Sequence, residues 1–289
     1  MLKGTFTALV TPFNKNGSVD YGCLKALVAE QIAGGISGIV PVGTTGESPT
    51  LDVDDHLKVI ETVIQASAKK IKIIAGTGAN STHEAIELTQ EAKKLGADAT
   101  LQATPYYNKP NQEGLFRHFS AVADLGLPVM LYNVPGRTGR EIAIETVARL
   151  AKHPLVVAVK EAAGDANRVS LIRAVCQLDI LAGDDSLTLP MMSVGACGVV
   201  SVASNVMPKE VSDMTRAALA GDFAKALALH QRLFPLFRDL FIDTNPIPVK
   251  YAMARLGKIE EAYRLPLCEM SDKNKAVLEE TLRALGLLK

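Results

Sequence analysis

A lysine closes an apolar run in this chain. Residues 155–159 read Leu-Val-Val-Ala-Val, and Lys160 follows, with Glu161, Ala162, Ala163 and Gly164 behind it. Such a run has strand character, so Lys160 has a long stem in apolar surroundings and a head where a strand meets a loop. Burial disfavours an ammonium ion and favours the neutral amine, the nucleophile of imine chemistry. Lys160 is therefore a candidate for a Schiff base with a carbonyl substrate. The competing reading is an ordinary lysine snorkelling from a strand end, and the choice depends on what else the chain brings to the same place.

Other polar side chains also fall where β-like runs end. Gly43-Thr44-Thr45-Gly46-Glu47-Ser48 follows the second run, Gly76-Thr77-Gly78-Ala79-Asn80 the third, and Thr104-Pro105-Tyr106-Tyr107-Asn108 the fourth. The fifth ends at Tyr132 and Asn133 and leads into Val134-Pro135-Gly136-Arg137-Thr138-Gly139. The seventh leads to Gly183-Asp184-Asp185, and the eighth runs through Val200 and Ser201. One amine, two phenols (Tyr107 and Tyr132), two hydroxyls (Thr44 and Thr45) and one guanidinium (Arg137) thus gather at strand ends. A phenol titrates near about 10 and is a poor base at neutral pH unless neighbouring hydroxyls adjust it. Arginine offers a fixed fork that matches a carboxylate. The 43–48 loop could cradle an anion through its N–H groups, but it lacks the lysine of a nucleotide-binding loop. Gly76-Thr77-Gly78 resembles part of a dinucleotide fingerprint, yet Ser81 stands where the third glycine belongs, and that reading is set aside.

The elements that must position these groups are legible as two alternating patterns. Eight β candidates, at residues 5–10, 38–42, 71–75, 99–103, 128–132, 155–159, 180–182 and 198–202, are near-continuous apolar runs. Between them lie helix-like stretches at 21–33, 54–68, 83–95, 113–124, 144–151, 167–176 and 187–194. Alternation of this kind means βαβ units and a parallel sheet covered on both faces. Eight units in this length predict an α/β protein with a (β/α)8 TIM barrel, its chemistry on loops at the C-terminal ends of the strands. A doubly wound open sheet is the rival, and it gives no reason for polar residues at nearly every strand end. Ser81 with Glu84, and Thr138 with Glu141, fit helix-capping boxes, and Gly96 marks a helix stop. After Pro208 the β signal disappears. Residues 211–220, 223–241, 248–256 and 272–285 read as helices, broken at Asn245-Pro246-Ile247-Pro248. The expected division is a barrel domain at 1–223 and a C-terminal helical domain at 224–289.

Composition excludes several classes. The 289 residues are 48% hydrophobic and 21% charged, with 31 acidic and 31 basic residues in balance. No basic stripe interleaved with aromatics points to nucleic acid. No stretch reads as a signal peptide or a membrane span, so a cytoplasmic protein is expected. Cys23, Cys176, Cys197 and Cys268 form no CxxC pair and are expected to be free thiols, Cys197 a small buried one. The five histidines are scattered and suggest neither a metal site nor a nucleophile–base triad. No metal and no organic cofactor is expected.

The motifs GTTGES (43–48), GTGAN (76–80), TPYYNKP (104–110), YNVPGRTG (132–139), VKEA (159–162), GDD (183–185) and NPIPVK (245–250) together resemble the dihydrodipicolinate synthase family. That family lies within the pyruvate-dependent lyases, which include N-acetylneuraminate lyase. The resemblance covers essentially the whole chain. It implies condensation of pyruvate with L-aspartate 4-semialdehyde through a lysine Schiff base, the first committed step of diaminopimelate and lysine biosynthesis. It implies Lys160 as the imine lysine, Tyr132 as the proton-moving phenol, and Thr44 as a link from Tyr132 to a Tyr107 supplied by a neighbouring subunit. Thr45, Gly183 and Val200 would hold pyruvate, and Arg137 the carboxylate of the semialdehyde. It further implies a homotetramer built from two dimers. L-lysine is a possible inhibitor near Ser48, Pro49, His56, Asn80, Glu84 and Tyr106, where the family more often has alanine in place of Pro49. Glu84 could equally serve only as the capping partner of Ser81. The main alternative is a lyase acting on a sialic acid or a keto-deoxy sugar acid, which has less need of Arg137. A different class is a non-catalytic barrel that binds a ligand or partner, which would form no covalent adduct with pyruvate.

Overall fold

The computed structural model describes residues 2–289. Eight parallel strands close into a barrel in chain order: β1 (Gly4–Ala8), β2 (Gly38–Val40), β3 (Lys72–Gly76), β4 (Ala99–Ala103), β5 (Val129–Asn133), β6 (Val156–Glu161), β7 (Asp179–Ala182) and β8 (Gly198–Ser201). β8 pairs back onto β1, so the sheet has no free edge. Helices lie between successive strands, as expected for a (β/α)8 barrel.

Several expected boundaries move by a residue or more, and three of the shifts have a clear local reason. The second strand stops at Val40 and not at residue 42, because Pro41 has no N–H for the ladder and Val42 takes φ +54°. The sixth runs two residues further than expected. Lys160, expected at the strand end, pairs with Tyr132 on one side and Leu181 on the other, and the strand continues to Glu161. The helix expected from residue 211 starts at Pro208, where a proline loses no helical hydrogen bond and its fixed φ suits the first turn.

One of the two capping boxes is corrected. Ser81 does cap the helix Thr82–Leu95 by accepting from the Glu84 N–H, and Gly96 ends that helix at φ +95°. Thr138 caps nothing. It lies inside the short helix Pro135–Thr138, its hydroxyl is engaged by the Arg140 carbonyl at 2.9 Å, and Glu141 pairs with Arg168 instead. The next helix begins only at Ile144.

Apolar side chains form two layers. Inside the barrel lie Phe6, Val40, Ile74, Leu101, Met130, Ala158, Leu181 and Val200, with Tyr132 among them. The larger layer lies between strands and helices, where Leu131, Val159, Ile180 and Val199 meet helical residues such as Leu24, Ile60, Phe119 and Ile172. This two-sided burial explains the continuous apolar runs of the sequence. Beyond β8 the chain is helical. Phe223–Asp239 packs on Pro208–Leu219, and the buried Asp239 accepts from Thr281 at 2.5 Å, tying it to Asp272–Ala284. Cys23, Cys176, Cys197 and Cys268 are free, Cys197 buried.

His118 lies in the outer layer, 4% exposed, with Nδ1 bonded to the Thr82 hydroxyl at 2.9 Å and its ring edge-on to Phe119. Burial pushes its pKa down to about 4, from 6.5. Between those values the unfolded chain takes up a proton that the folded chain refuses. Its contribution is therefore complete above pH 6.5 and is lost as pH falls towards 4, by at most about 3 kcal/mol. Denaturant unfolding at both ends of that window should show His118→Asn losing less stability on acidification than the wild type. An equal loss in the two proteins would remove His118 as the cause.

Candidate active site

The register of β5 against β6 builds the centre. It sets Tyr132 beside Lys160 and Asn133 beside Glu161. Alternation of side chains along a strand turns the first couple into the barrel and the second towards the helices. The Lys160 Nζ lies 4.2 Å from the centroid of the Tyr132 ring, and both residues are 6% exposed. A cation there is attracted by the ring face. On the far side, Gly183 leaves room for the lysine stem. A Cβ at that position would lie 2.5 Å from Ala162 Cβ and 3.2 Å from Lys160 Cε.

The loop after β2 is shaped by backbone strain and by buried charge. Val42 and Glu47 both adopt positive φ, +54° and +56°, on either side of the turn Thr44–Gly46. Non-glycine residues held there cost on the order of 1–3 kcal/mol each, and the cost is unusual for a β-branched valine. The Glu47 side chain anchors the turn from behind. Its carboxylate accepts from the Lys250 ammonium, with neither side chain exposed, and from the Arg264 N–H at 3.2 Å. The Lys250 head also lies 4.1 Å from the centre of the Phe13 ring. Burial pulls the Lys250 pKa down, opposed by the Glu47 charge. The same C-terminal stretch reaches Thr45, whose Oγ1 accepts from Asn245 Nδ2 at 3.0 Å, while Arg137 Nη2 donates to the Asn245 carbonyl at 3.1 Å. Asn245 thus joins Thr45 to Arg137.

Two aspartates complete the rim. Asp184 has its pKa raised by burial, against the pull of the positive charges on Lys160 and Arg137. Asp185 is fully buried and accepts from Ser201 Oγ at 2.5 Å and from the Val202 and Ala203 N–H groups at 2.9 and 3.0 Å, fastening the ends of β7 and β8 together. Burial raises its pKa as well.

Above the centre opens a cavity of about 210 Å³. Thr44, Tyr132 and Arg137 line it, together with Ser48, Pro49 and Tyr106. Lys160 lies against the Tyr132 ring and is absent from the lining; Thr45 is buried, hydrogen-bonded to Asn245, and Val200 packs in the barrel interior. Tyr107 stands apart. It is 92% exposed, at φ +70°, and does not line the cavity, so the expected relay of Tyr132, Thr44 and Tyr107 is not assembled within one chain. Of the residues expected around an effector, Ser48, Pro49 and Tyr106 share this cavity. His56 is buried with Nε2 on the Gly76 carbonyl at 2.8 Å, and burial lowers its pKa. Glu84 lies close enough for its charge to raise the Tyr106 phenol, after the larger effect of burial. The Asn80 carbonyl accepts from Asn108 at 2.8 Å. No group of three or more His, Cys, Asp or Glu side chains is arranged to hold a metal among the described residues.

Sequence reasoning singled out neither Asn245, Lys250, Glu47 nor Asp184, although each stands in a motif quoted above. Lys250 carried a usable signal, the one charge among the first seven residues of the helix Ile247–Arg255, all of which are buried.

A model of the dihydrodipicolinate synthetase family matches residues 1–285. The 4-hydroxy-tetrahydrodipicolinate synthase of Thermodesulfovibrio yellowstonii is 51% identical over 292 aligned positions, covering all of both chains. A crystal structure of the chloride-inhibited dihydrodipicolinate synthase from Acinetobacter baumannii, complexed with pyruvate, matches with a TM-score of 0.98 at 45% identity, covering 100% of both chains. The enzyme from Cyanidioschyzon merolae with lysine bound matches with a TM-score of 0.96 at 42% identity over 99% of each chain.

Removing the Lys250 charge leaves the Glu47 carboxylate buried without its partner. Lys250→Met should destabilise the chain by about 3–5 kcal/mol, and adding Glu47→Gln should recover much of that loss. Denaturant unfolding of the single and double variants reads both. Simple additivity of the two changes would mean that the charges do not act as a pair.

Proposed function

The chain belongs to the dihydrodipicolinate synthetase family and has 4-hydroxy-tetrahydrodipicolinate synthase activity, a lyase reaction, and we propose how its residues perform it. The substrates are pyruvate and L-aspartate 4-semialdehyde, and the observation that carries the reading is the Lys160 amine buried against the Tyr132 phenol ring.

The Lys160 amine attacks the ketone carbon of pyruvate, and loss of water gives an imine. The imine withdraws electrons better than the ketone, so a methyl proton leaves and an enamine forms. The enamine carbon attacks the aldehyde carbon of the semialdehyde, whose oxygen takes up a proton. The amino group of the bound product then attacks the imine carbon, closes the ring and releases Lys160. Tyr132 moves the protons, being the phenol nearest the amine, and the Thr44 hydroxyl on the same cavity wall adjusts it. Thr45, Gly183 and Val200 hold the pyruvate end. Arg137, fixed through Asn245 to Thr45, takes the carboxylate of the semialdehyde. The barrel at 1–223 carries the chemistry, and the helical segment at 224–289 braces it.

Tyr107 completes the relay in a neighbouring copy. A phenol exposed at 92% on a constrained loop suits insertion into another subunit, which favours a dimer as the active unit and two dimers as the tetramer. L-lysine binds at the outer end of the cavity, near Ser48, Pro49 and Tyr106, with His56, Asn80 and Glu84 around it. The lysine-bound relative supports this. No helix among the described residues is long and apolar enough to cross a membrane, in keeping with work in the cytoplasm.

Borohydride with saturating pyruvate should add a reduced pyruvyl mass at Lys160 alone, and Lys160→Ala should abolish it. Peptide mapping reads the site, and an unlabelled Lys160 would reject the imine. Pyruvate with aspartate semialdehyde should turn over, whereas pyruvate with N-acetylmannosamine should not. Rates that stay flat at high L-lysine would remove the effector site.

A further inference from the structure

We propose that Asn133, Glu161 and Arg168 are positioning residues, a hydrogen-bonded clamp behind the barrel wall that fixes Lys160 against Tyr132. The proposal rests on the imine reading of Lys160. It starts from an irregularity in the sheet. β5 and β6 pair regularly only above a break, since Val129 lies opposite Val156 but Met130 lies opposite Ala158. Val157 is therefore an extra residue, and a bulge of this kind frees the ladder above it from the register below. A slip of two residues would keep every side chain on its face and carry Lys160 about 6–7 Å away from Tyr132. Apolar packing on the outer face tolerates such a slip poorly but does not forbid it; directional bonds do.

Those bonds are present at the neighbouring outward position. Glu161 is 1% exposed, Asn133 0% and Arg168 6%. Glu161 Oε1 accepts from Asn133 Nδ2 at 2.8 Å and from the Ala163 N–H at 2.9 Å, and Oε2 accepts from Arg168 Nε at 2.9 Å. Arg168 Nη2 donates to the Ile142 carbonyl at 2.9 Å, and the Ile142 N–H donates to Asn133 Oδ1 at 2.9 Å. The bonds make a closed circuit through β5, β6, the segment that follows Arg137 and the helix Asn167–Val175. Arg168 also pairs with Glu141. A buried ionic network of this type is a costly way to gain stability alone and a good way to specify one geometry. Each clamp residue on a strand adjoins a centre residue: Asn133 follows Tyr132, and Glu161 follows Lys160.

The test uses the full-length assembled enzyme with Glu161→Gln, Arg168→Lys and Arg168→Met. A misplaced reacting group costs up to about 100-fold in rate. Glu161→Gln and Arg168→Met should lower kcat by about 10- to 100-fold, leave KM for pyruvate within about two-fold, and slow the borohydride-trapped adduct at Lys160 in parallel. Arg168→Lys keeps the charge without the fork and should fall between wild type and Arg168→Met. Should Glu161→Gln fail to fold, the ordering of the two Arg168 variants decides. Variants with a lower melting temperature but wild-type kcat and adduct rate per folded molecule would overturn the clamp and leave a merely structural network. A wild-type enzyme that forms no adduct would instead overturn the imine reading, whatever the variants do.

Discussion

Glu47 and Lys250 are two opposite charges that meet where water does not reach, and the mouth of the barrel is organised around them. A buried ion of either sign is expensive unless its partner is in place, so the loop after β2 and the helix Ile247–Arg255 must dock together or not at all. Docking delivers more than the pair itself. It brings Asn245 between Thr45 and Arg137, and it holds Val42 and Glu47 in backbone conformations that neither would choose alone. The strain lies beside the cavity, and the charges that sustain it lie just behind.

The barrel wall uses its two faces differently. Inward positions on β5 and β6 carry the amine and the phenol; the outward positions one residue later carry an amide and a carboxylate. Asp185 does similar work for β7 and β8, with its carboxylate spanning the Ser201 hydroxyl and two backbone N–H groups. Polar groups behind the wall thus set the spacing of strand ends that open onto the cavity. Only then does the position of a reacting atom become as definite as the position of a strand.

Most of the fold was legible because each strand is buried on both faces, which leaves an unbroken apolar run bounded by glycine and polar residues. The run at 99–103 matches its strand to the residue, and the run expected at 180–182 ends where its strand ends, at Ala182. At Lys160 the apolar run stopped short of the strand: the run ends at Val159, yet Lys160 and Glu161 both still pair on both sides. Thr138 and Glu141 matched a local pattern that the turn at Gly139 overrode. The site was less legible than the fold. Strand ends could be enumerated, and so the lysine, the phenols, the hydroxyls and Arg137 could be named. The Glu47–Lys250 contact joins residues 203 positions apart, and no periodicity carries such a pairing. The exposure of Tyr107 followed only from the family resemblance, because by itself an aromatic in a loop reads the same whether it covers its own chain or stands clear of it.

The seam of the barrel has a consequence for how the molecule is made. β1 is closed only by β8, at a contact so tight that a Cβ on Gly198 would lie 2.0 Å from the Gly4 carbonyl oxygen. During synthesis the first strand gains β2 early but waits for almost two hundred residues before its second partner emerges. Throughout that interval the growing sheet keeps two unsatisfied borders, each able to recruit a stray strand. Only when Gly198 reaches Gly4 can the cylinder shut and both borders vanish together.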